Sequence, residues 1–246
     1  MTSILFTQII PTTLTMVAWL LMLSIIGYLI GAFPTAYLIG KINHINIFAA
    51  GSGNMGANNT YHTLGARWGA VVWFIDVNKG IMVTLLARLL APVGLVADVV
   101  TISALTVVIG HNWSIWVWLI TGHLRGGKGA ATAGGTWLIC APLPVFTITL
   151  GLWSVVAGLT GYIPLATLVT FAIGSIWMLL LACTGQIAPI ELLYVFGVAV
   201  MIYWRHRDNL QALLDRRERQ LKDVTIKNLM AVAGIVVLVM TLVNKL

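Results

Sequence analysis

Three short polar segments interrupt a chain that is otherwise strongly apolar. The first, Gly51-Ser-Gly-Asn-Met-Gly-Ala-Asn-Asn59, gathers three glycines (Gly51, Gly53, Gly56), one hydroxyl and three carboxamides. Glycines let successive backbone N–H groups converge on the oxygens of an anion, and Ser52, Asn54, Asn58 and Asn59 add neutral side-chain donors. A plain turn-rich loop has the same composition. The second segment, Arg125-Gly-Gly-Lys-Gly129, sets Gly126, Gly127 and Gly129 around Lys128 directly ahead of an apolar run. A helix N-terminus beside an ammonium group favours phosphate, although a charged turn at a membrane surface would read alike. It is not a P-loop, because the spacing from the first glycine to Gly-Lys-Ser/Thr is absent. The third segment, Arg205-His-Arg-Asp-Asn209, runs on through an arginine-rich stretch containing Glu218. His206 and Asn209 are its chemically useful groups, whereas Arg216, Arg217 and Arg219 also suit topological anchoring after a membrane span.

Two further groups are embedded in apolar sequence. Asp76 and Lys79, three apart, share a helix face and can neutralise each other; they are either an ion pair or a contact to substrate. His111 and Asn112 precede Trp113, Trp116 and Trp118, a density typical of an interfacial belt. Cys140 and Cys183 both lie in apolar sequence and imply neither a disulfide framework nor a metal site.

The elements that must position these groups are helices in a bilayer. Of the 246 residues, 59% are hydrophobic and 9% charged, against roughly 45–50% and 25% for a soluble domain. Eight apolar stretches are predicted as spans: Leu14–Ile39, Trp68–Ala91, Val96–Ile120, Ala130–Phe146, Ile148–Gly161, Leu165–Cys183, Pro189–Trp204 and Ile226–Val243. The first lacks a basic leader and is read as a retained span. The fourth and fifth, carrying Pro142, Pro144, Gly158 and Gly161, are expected to be short, tilted or broken. The three loops Lys41–Arg67, Thr121–Gly129 and Arg205–Thr225 all follow odd-numbered spans and so share a side. They carry or border eleven of the fourteen basic residues, which makes that side cytoplasmic. The net charge of +7 is thereby assigned to a lipid surface or an anionic substrate rather than to nucleic acid. No internal repeat is found.

In order along the chain, Gly51-Ser-Gly-Asn-Met-Gly-Ala, Asp76-Val-Asn-Lys-Gly80, Gly110-His-Asn, Gly126-Gly-Lys-Gly-Ala-Ala-Thr132 and His206-Arg-Asp-Asn-Leu210 resemble motifs of the acyl-phosphate-dependent glycerol-3-phosphate acyltransferases, the PlsY type. The likeness runs from about Gly27 to Glu218. It implies an all-α, polytopic integral membrane bundle with a seven-span core, here within a single domain, the core at about 14–223 and an extra eighth span at about 226–243. It also implies an acyl phosphate donor, glycerol 3-phosphate as acceptor, and lysophosphatidic acid plus phosphate as products, with no cofactor and no metal. By position, Ser52, His206 and Asn209 match catalytic residues of the family. Gly51, Gly53, Asn54, Gly56, Asn58, Asn59, His62, Arg125, Gly126, Gly127, Lys128, Gly129 and Glu218 fall at substrate-binding positions. The chemistry suits these residues, since a mixed anhydride needs positioning and charge neutralisation more than a strong nucleophile. The proton acceptor is either His206 or a substrate phosphate.

The pattern is not matched throughout. His62 stands where the family has arginine, Asn58 where it has threonine, and Ser114 where it has proline. The stretch from His111 to Arg125 is about five residues longer, and Ala212, Arg216 and Gln220 replace arginine, glycine and lysine, with Arg217 and Arg219 the neighbouring cations available to compensate. Other readings of the same residues are a transporter of a small anionic metabolite, an acyltransferase-like protein with a changed acceptor, and a transferase of phospho-alcohol groups. A transporter would place more charged groups through the spans. A transferase of phospho-alcohol groups would need an aspartate cluster for metal, and the seven acidic residues are scattered.

Overall fold

The computed structural model describes residues 13–243, which form twelve helices: α1 (Thr13–Gly31), α2 (Thr35–Ile42), α3 (Ala57–Leu64), α4 (Ala66–Leu90), α5 (Val96–Asn112), α6 (Ile115–Thr121), α7 (Ala130–Cys140), α8 (Leu143–Thr160), α9 (Ile163–Cys183), α10 (Glu191–Arg205), α11 (Arg207–Leu214) and α12 (Val224–Val243). By length and composition four stretches are able to cross a membrane: Met16–Ile42, Ala66–Leu90, Leu143–Thr160 and Ile163–Cys183. Many large apolar side chains on these helices face outward, Leu14, Phe74, Leu89, Ile176 and Leu180 among them. In a membrane that surface meets lipid and carries no penalty.

Prolines and one serine set the helix boundaries that hydropathy blurs. Pro34 separates α1 from α2. It removes a donor and pushes the preceding residue out of the helical region, and the carbonyls freed there find side-chain partners instead. Ser114 Oγ donates to Ala32 O, Lys79 Nζ to Phe33 O at 2.6 Å, and Trp116 Nε1 to Leu29 O at 3.0 Å. The apolar run expected as one span to Ile120 is two helices, because the chain turns at Trp113 and Ser114 caps α6 by accepting from the Val117 amide. The predicted fourth and fifth spans meet at a different place as well. The α7 helix stops at Cys140 and α8 starts at Leu143, since Pro142 cannot continue one helix while Pro144 fits the first turn of the next.

Helices approach closely wherever glycine removes the side chain. A β-carbon on Gly31 would stand 2.0 Å from the Val107 carbonyl oxygen, and one on Gly110 2.1 Å from that of Tyr28, so α1 and α5 are in backbone contact. A β-carbon on Gly80 would stand 2.2 Å from Thr132 O and one on Gly135 2.0 Å from Val77 O, so α4 and α7 are joined in the same way. Gly158 and Gly234 do the same between α8 and α12. Without a hydrophobic driving force in lipid, such close packing is what holds helices together. The buried core, with Val107, Val108, Trp137, Phe171, Met178 and Tyr194, fills the centre between α5, α7, α9 and α10.

Gly134 and Gly135 offer a matched pair. An added methyl at Gly135 strikes the α4 backbone, while at Gly134 it meets nothing within 4 Å. Gly135→Ala is expected to destabilise by about 1–3 kcal/mol and Gly134→Ala to leave the melting temperature in detergent unchanged or slightly raised.

Candidate functional site

The Asp76–Lys79 pair fixes the floor of the site. Both side chains are buried, the ammonium lies 2.7 Å from Asp76 Oδ1, and Thr35 Oγ1 donates to the same carboxylate oxygen at 3.1 Å. His111 Nδ1 is 3.9 Å from Asp76. The second loop rests on this histidine: the Gly127 amide donates to His111 O at 2.9 Å, and a β-carbon on Gly127 would fall 1.9 Å from His111 Nε2. Gly126 is thus glycine because it lies on the His111 and Asn112 backbone, and Gly127 because it lies against the His111 ring. Their carbonyls are held from the other side by Arg205, which donates at 3.3 Å to Gly126 and at 2.7 Å to Gly127 and lies over the Trp113 ring. Arg205, at the end of α10, thereby ties the third loop to the second.

Asn59 organises the first loop. Its amide nitrogen donates to Ala50 O and Asn54 O at 3.0 Å and to Ile47 O at 3.3 Å, while Oδ1 accepts from the Ser52 amide at 2.7 Å. Gly51 and Gly53 adopt positive φ, +59° and +65°, so the chain can curl around this side chain. The expected convergence of loop amides on an anion is accordingly not what the loop offers. The Ser52 amide is held by Asn59 and the Gly53 amide by Ala50 O, so side chains are left to meet a ligand.

The three loops close over one cavity of about 300 Å³. At its polar end stand Ser52, Asn54, Gly56, Asn58, Asn59, Lys128, Gly129, His206 and Asn209, together with Asp76, His111 and Arg219. Lys128 Nζ donates to Asn209 Oδ1, and Asn209 Nδ2 donates to Glu218 Oε2 at 2.7 Å, so Asn209 bridges cation and carboxylate. Burial draws the Lys128 pKa below the usual lysine value, with Glu218 opposing. Arg219 reaches over α3 to Asn59 Oδ1 at 3.4 Å, whereas Arg217 turns to Asp215. Of the two arginines available to compensate for the departures at Ala212 and Gln220, Arg219 is the one at the cavity. His62 itself does not line the cavity. Burial first and Arg219 second lower its pKa, and its Nε2 has no hydrogen-bond partner. Gly51, Gly53, Gly126, Gly127 and Glu218 stand behind the lining, and Arg125 faces a separate cleft.

His206 is buried, and its Nδ1 lies 2.8 Å from Ile202 O. A carbonyl only accepts, so Nδ1 carries the proton and Nε2 keeps its lone pair. Burial pushes its pKa down to about 4, with Lys128 and Arg205 adding to the effect. Asn58 Oδ1 is likewise buried without a donor. Cations and acceptors thus face the same volume, a combination suited to a phosphorylated polyol.

The cavity continues between α7, α8 and α9 as an apolar arm lined by Trp137, Leu138, Phe146, Leu150, Trp153 and Phe171. The two indoles are satisfied within the wall, Trp137 Nε1 donating to Thr149 Oγ1 at 3.1 Å and Trp153 Nε1 to Thr167 Oγ1 at 3.2 Å. The arm therefore presents hydrocarbon. No sequence motif marks it, because its residues are single positions on three helices.

This arrangement has relatives. A family model described as glycerol-3-phosphate acyltransferase matches residues 21–216. The chain belongs to the glycerol-3-phosphate acyltransferase family. A glycerol-3-phosphate acyltransferase of Rubrobacter xylanophilus is 37% identical over 199 residues, covering 81% of this chain and 94% of its own. Glycerol-3-phosphate acyltransferase 2 of Moorella thermoacetica is 36% identical over 205 residues, covering 82% and 97%. Among solved structures, PlsY, an integral membrane glycerol 3-phosphate acyltransferase, superposes in its glycerol 3-phosphate form with a TM-score of 0.72 at 29% identity, over 84% of this chain and 98% of that one. Its lysophosphatidic acid form gives 0.70 at 28%, over 85% and 98%. With that family and these apolar helices, the chain is a multi-pass, all-helical membrane protein.

His206 is expected to stay neutral through the working range. A folded pKa near 4 against about 6.5 in the unfolded chain means that the unfolded state binds the proton first. Stability from this group is present above pH 6.5 and falls as pH drops towards 4. Imidazole NMR shifts should include a histidine signal that does not titrate between pH 5 and 8 and that is absent from His206→Gln.

Proposed function

We propose that this chain transfers a fatty acyl group from acyl phosphate to the 1-hydroxyl of glycerol 3-phosphate, giving lysophosphatidic acid and inorganic phosphate in phospholipid synthesis. The observation that carries this reading is one cavity with two ends: a cationic, acceptor-bearing mouth and a hydrocarbon arm. A donor that is a fatty chain ending in a phosphate has the same two ends. Its carbonyl falls where the arm meets Lys128 and Asn209, and glycerol 3-phosphate occupies the mouth.

In this reading Lys128 and Arg219 take the two phosphates, and Asn209 holds Lys128 in place against Glu218. Ser52, Asn54 and Asn58 orient the polyol from the first loop, with Asn59, Gly51, Gly53 and Gly56 shaping that loop. Gly126, Gly127 and Gly129 serve by fit beneath Lys128. The glycerol oxygen attacks the acyl carbonyl, the bond from that carbon to the phosphate oxygen breaks, and an ester bond replaces it. The hydroxyl proton leaves with the departing phosphate. His206, with a conjugate acid near pKa 4, is a weak base, and its Nε2 serves by accepting from the hydroxyl and aiming it. Charge neutralisation on a phosphate already prone to leave is the larger contribution.

The membrane arrangement follows the charge pattern. A seven-span core at about 14–223 with α12 as an eighth span puts the three loops on the cytoplasmic side of the cell membrane, where a soluble acceptor reaches them. A transporter reading lacks a comparable argument, since an apolar arm serves no small anion.

The deciding experiment follows phosphate release from a synthetic acyl phosphate by purified protein, with and without glycerol 3-phosphate. Release is expected to require the acceptor, to fall by about 100-fold in Lys128→Ala, and to show a raised KM for glycerol 3-phosphate in Arg219→Gln. Release that ignores the acceptor, from folded protein, would overturn the assignment. Gly134 lines the cavity with open space before it, so Gly134→Leu is expected to shift the preferred acyl chain to a shorter one without loss of folded protein, as measured across a series of acyl phosphates.

A further inference from the structure

A second cleft, of about 590 Å³, opens beside the catalytic cavity but apart from it, between the end of α2 and the loop after α6. Tyr37 and Phe48 form its floor, with ring centroids 6.0 Å apart. Lys41 Nζ lies 5.8 Å from the Tyr37 ring centre and the Arg125 guanidinium 5.8 Å from that of Phe48. His44 and His123 complete a rim of nitrogen donors, and no acidic side chain lines the cleft. Among the described residues neither Lys41 nor Arg125 has a carboxylate partner. His44 stands at φ +57°, in the left-handed region that histidine, like asparagine and aspartate, enters more readily than other non-glycine residues. Two cations on the aromatic side chains of one cleft, with no carboxylate lining it, favour an anion from outside the chain.

We propose that this cleft binds a phosphate group, at a site distinct from the one that carries the acyl transfer. Two sources present that chemistry at this surface: the headgroup of an anionic phospholipid, and free phosphate. Residues next in sequence to the lining are exposed and apolar, Ile42 at 68%, Ile120 at 56% and Leu124 at 52%, so a headgroup seated on Lys41 and Arg125 would have hydrocarbon neighbours for its chains. Cationic side chains at a membrane surface attract such headgroups additively and lose that attraction as salt is raised. The second loop joins the two sites, because Arg125 faces this cleft while Lys128, three residues on, faces the cavity.

The test is lipid binding by the full chain in uncharged detergent, read by native mass spectrometry with phosphatidylglycerol and phosphatidylcholine as probes. The expected result is retention of phosphatidylglycerol over phosphatidylcholine, weakened about tenfold in Lys41→Gln/Arg125→Gln and unaffected in Lys128→Ala/Arg219→Gln. Lys41→Gln alone, on an exposed side chain, supplies the reading should the double variant fail to fold, as judged by its melting temperature. Millimolar inorganic phosphate distinguishes the sources: displacement of the lipid makes the ligand a free phosphate, and persistence makes it a headgroup. Equal retention of the two lipids with no phosphate binding, or a preference abolished only in Lys128→Ala/Arg219→Gln, would overturn the proposal.

Discussion

The Lys79 ammonium, held between the Asp76 carboxylate and the Phe33 carbonyl, is the interaction on which the rest of the structure turns. An ionised lysine in a membrane interior is tolerated only when neutralised and fully bonded. Here the bonds that satisfy it come from the break in the first helical stretch at Pro34. That break exposes Phe33 O to Lys79, sets Thr35 to donate to Asp76, and brings Ala32 O to Ser114. One charge pair therefore locks α1, α2 and α4 together and presents Asp76 to His111, on whose backbone the glycine loop lies. Removing either partner leaves the other's charge buried without its counter-ion, and the bed of the loop carrying Lys128 loses its support.

Above that floor, the glycines act chiefly by absence. Where Gly126 lies on the His111 and Asn112 backbone and Gly127 against the His111 ring, and where Gly80 and Gly135 bring α4 against α7, the gain is close approach rather than conformational freedom. The loop motif that looks like a phosphate cradle is thus first a packing motif, and its cation is carried on a rigid platform. Preorganisation of this kind suits a reaction whose difficulty lies in holding two phosphates near one carbonyl.

Much of this was legible in the residue order. Same-side parity of the three loops anticipated that Ser52, Lys128 and Asn209 share one cavity, and the i, i+3 spacing of Asp76 and Lys79 anticipated their pairing. What stayed hidden has physical causes. Hydropathy averages over a window, so it ran α5 into α6 and displaced the α7–α8 junction, although Pro142 and the cap at Ser114 decide both. The choice between Arg217 and Arg219 depends on which neighbour each meets, Asp215 or Asn59, and neither contact is visible in spacing. Arg125 belongs to the glycine motif in sequence yet faces the other way, since its own carbonyl is paired with the Ser114 amide. The apolar arm is invisible for a plainer reason: in a chain this hydrophobic, residues lining a cavity look like residues facing lipid.

The contact between α8 and α12 has a consequence for how the protein is made. Gly151 on α8 receives Leu238 and Gly234 of α12, and Gly158 receives the Ala231 backbone so closely that an added β-carbon would stand 2.5 Å from its amide nitrogen; α8 also supplies the wall of the apolar arm. The two halves of this contact lie roughly 75–85 residues apart in the chain, several seconds of synthesis at ~5–20 residues per second. Until α12 has been made, the glycine groove of α8 lacks this partner, and the helix that walls the apolar arm lacks one of its supports. The segments bearing Ser52, Lys128 and Asn209 are thus synthesised before the segment that braces the arm.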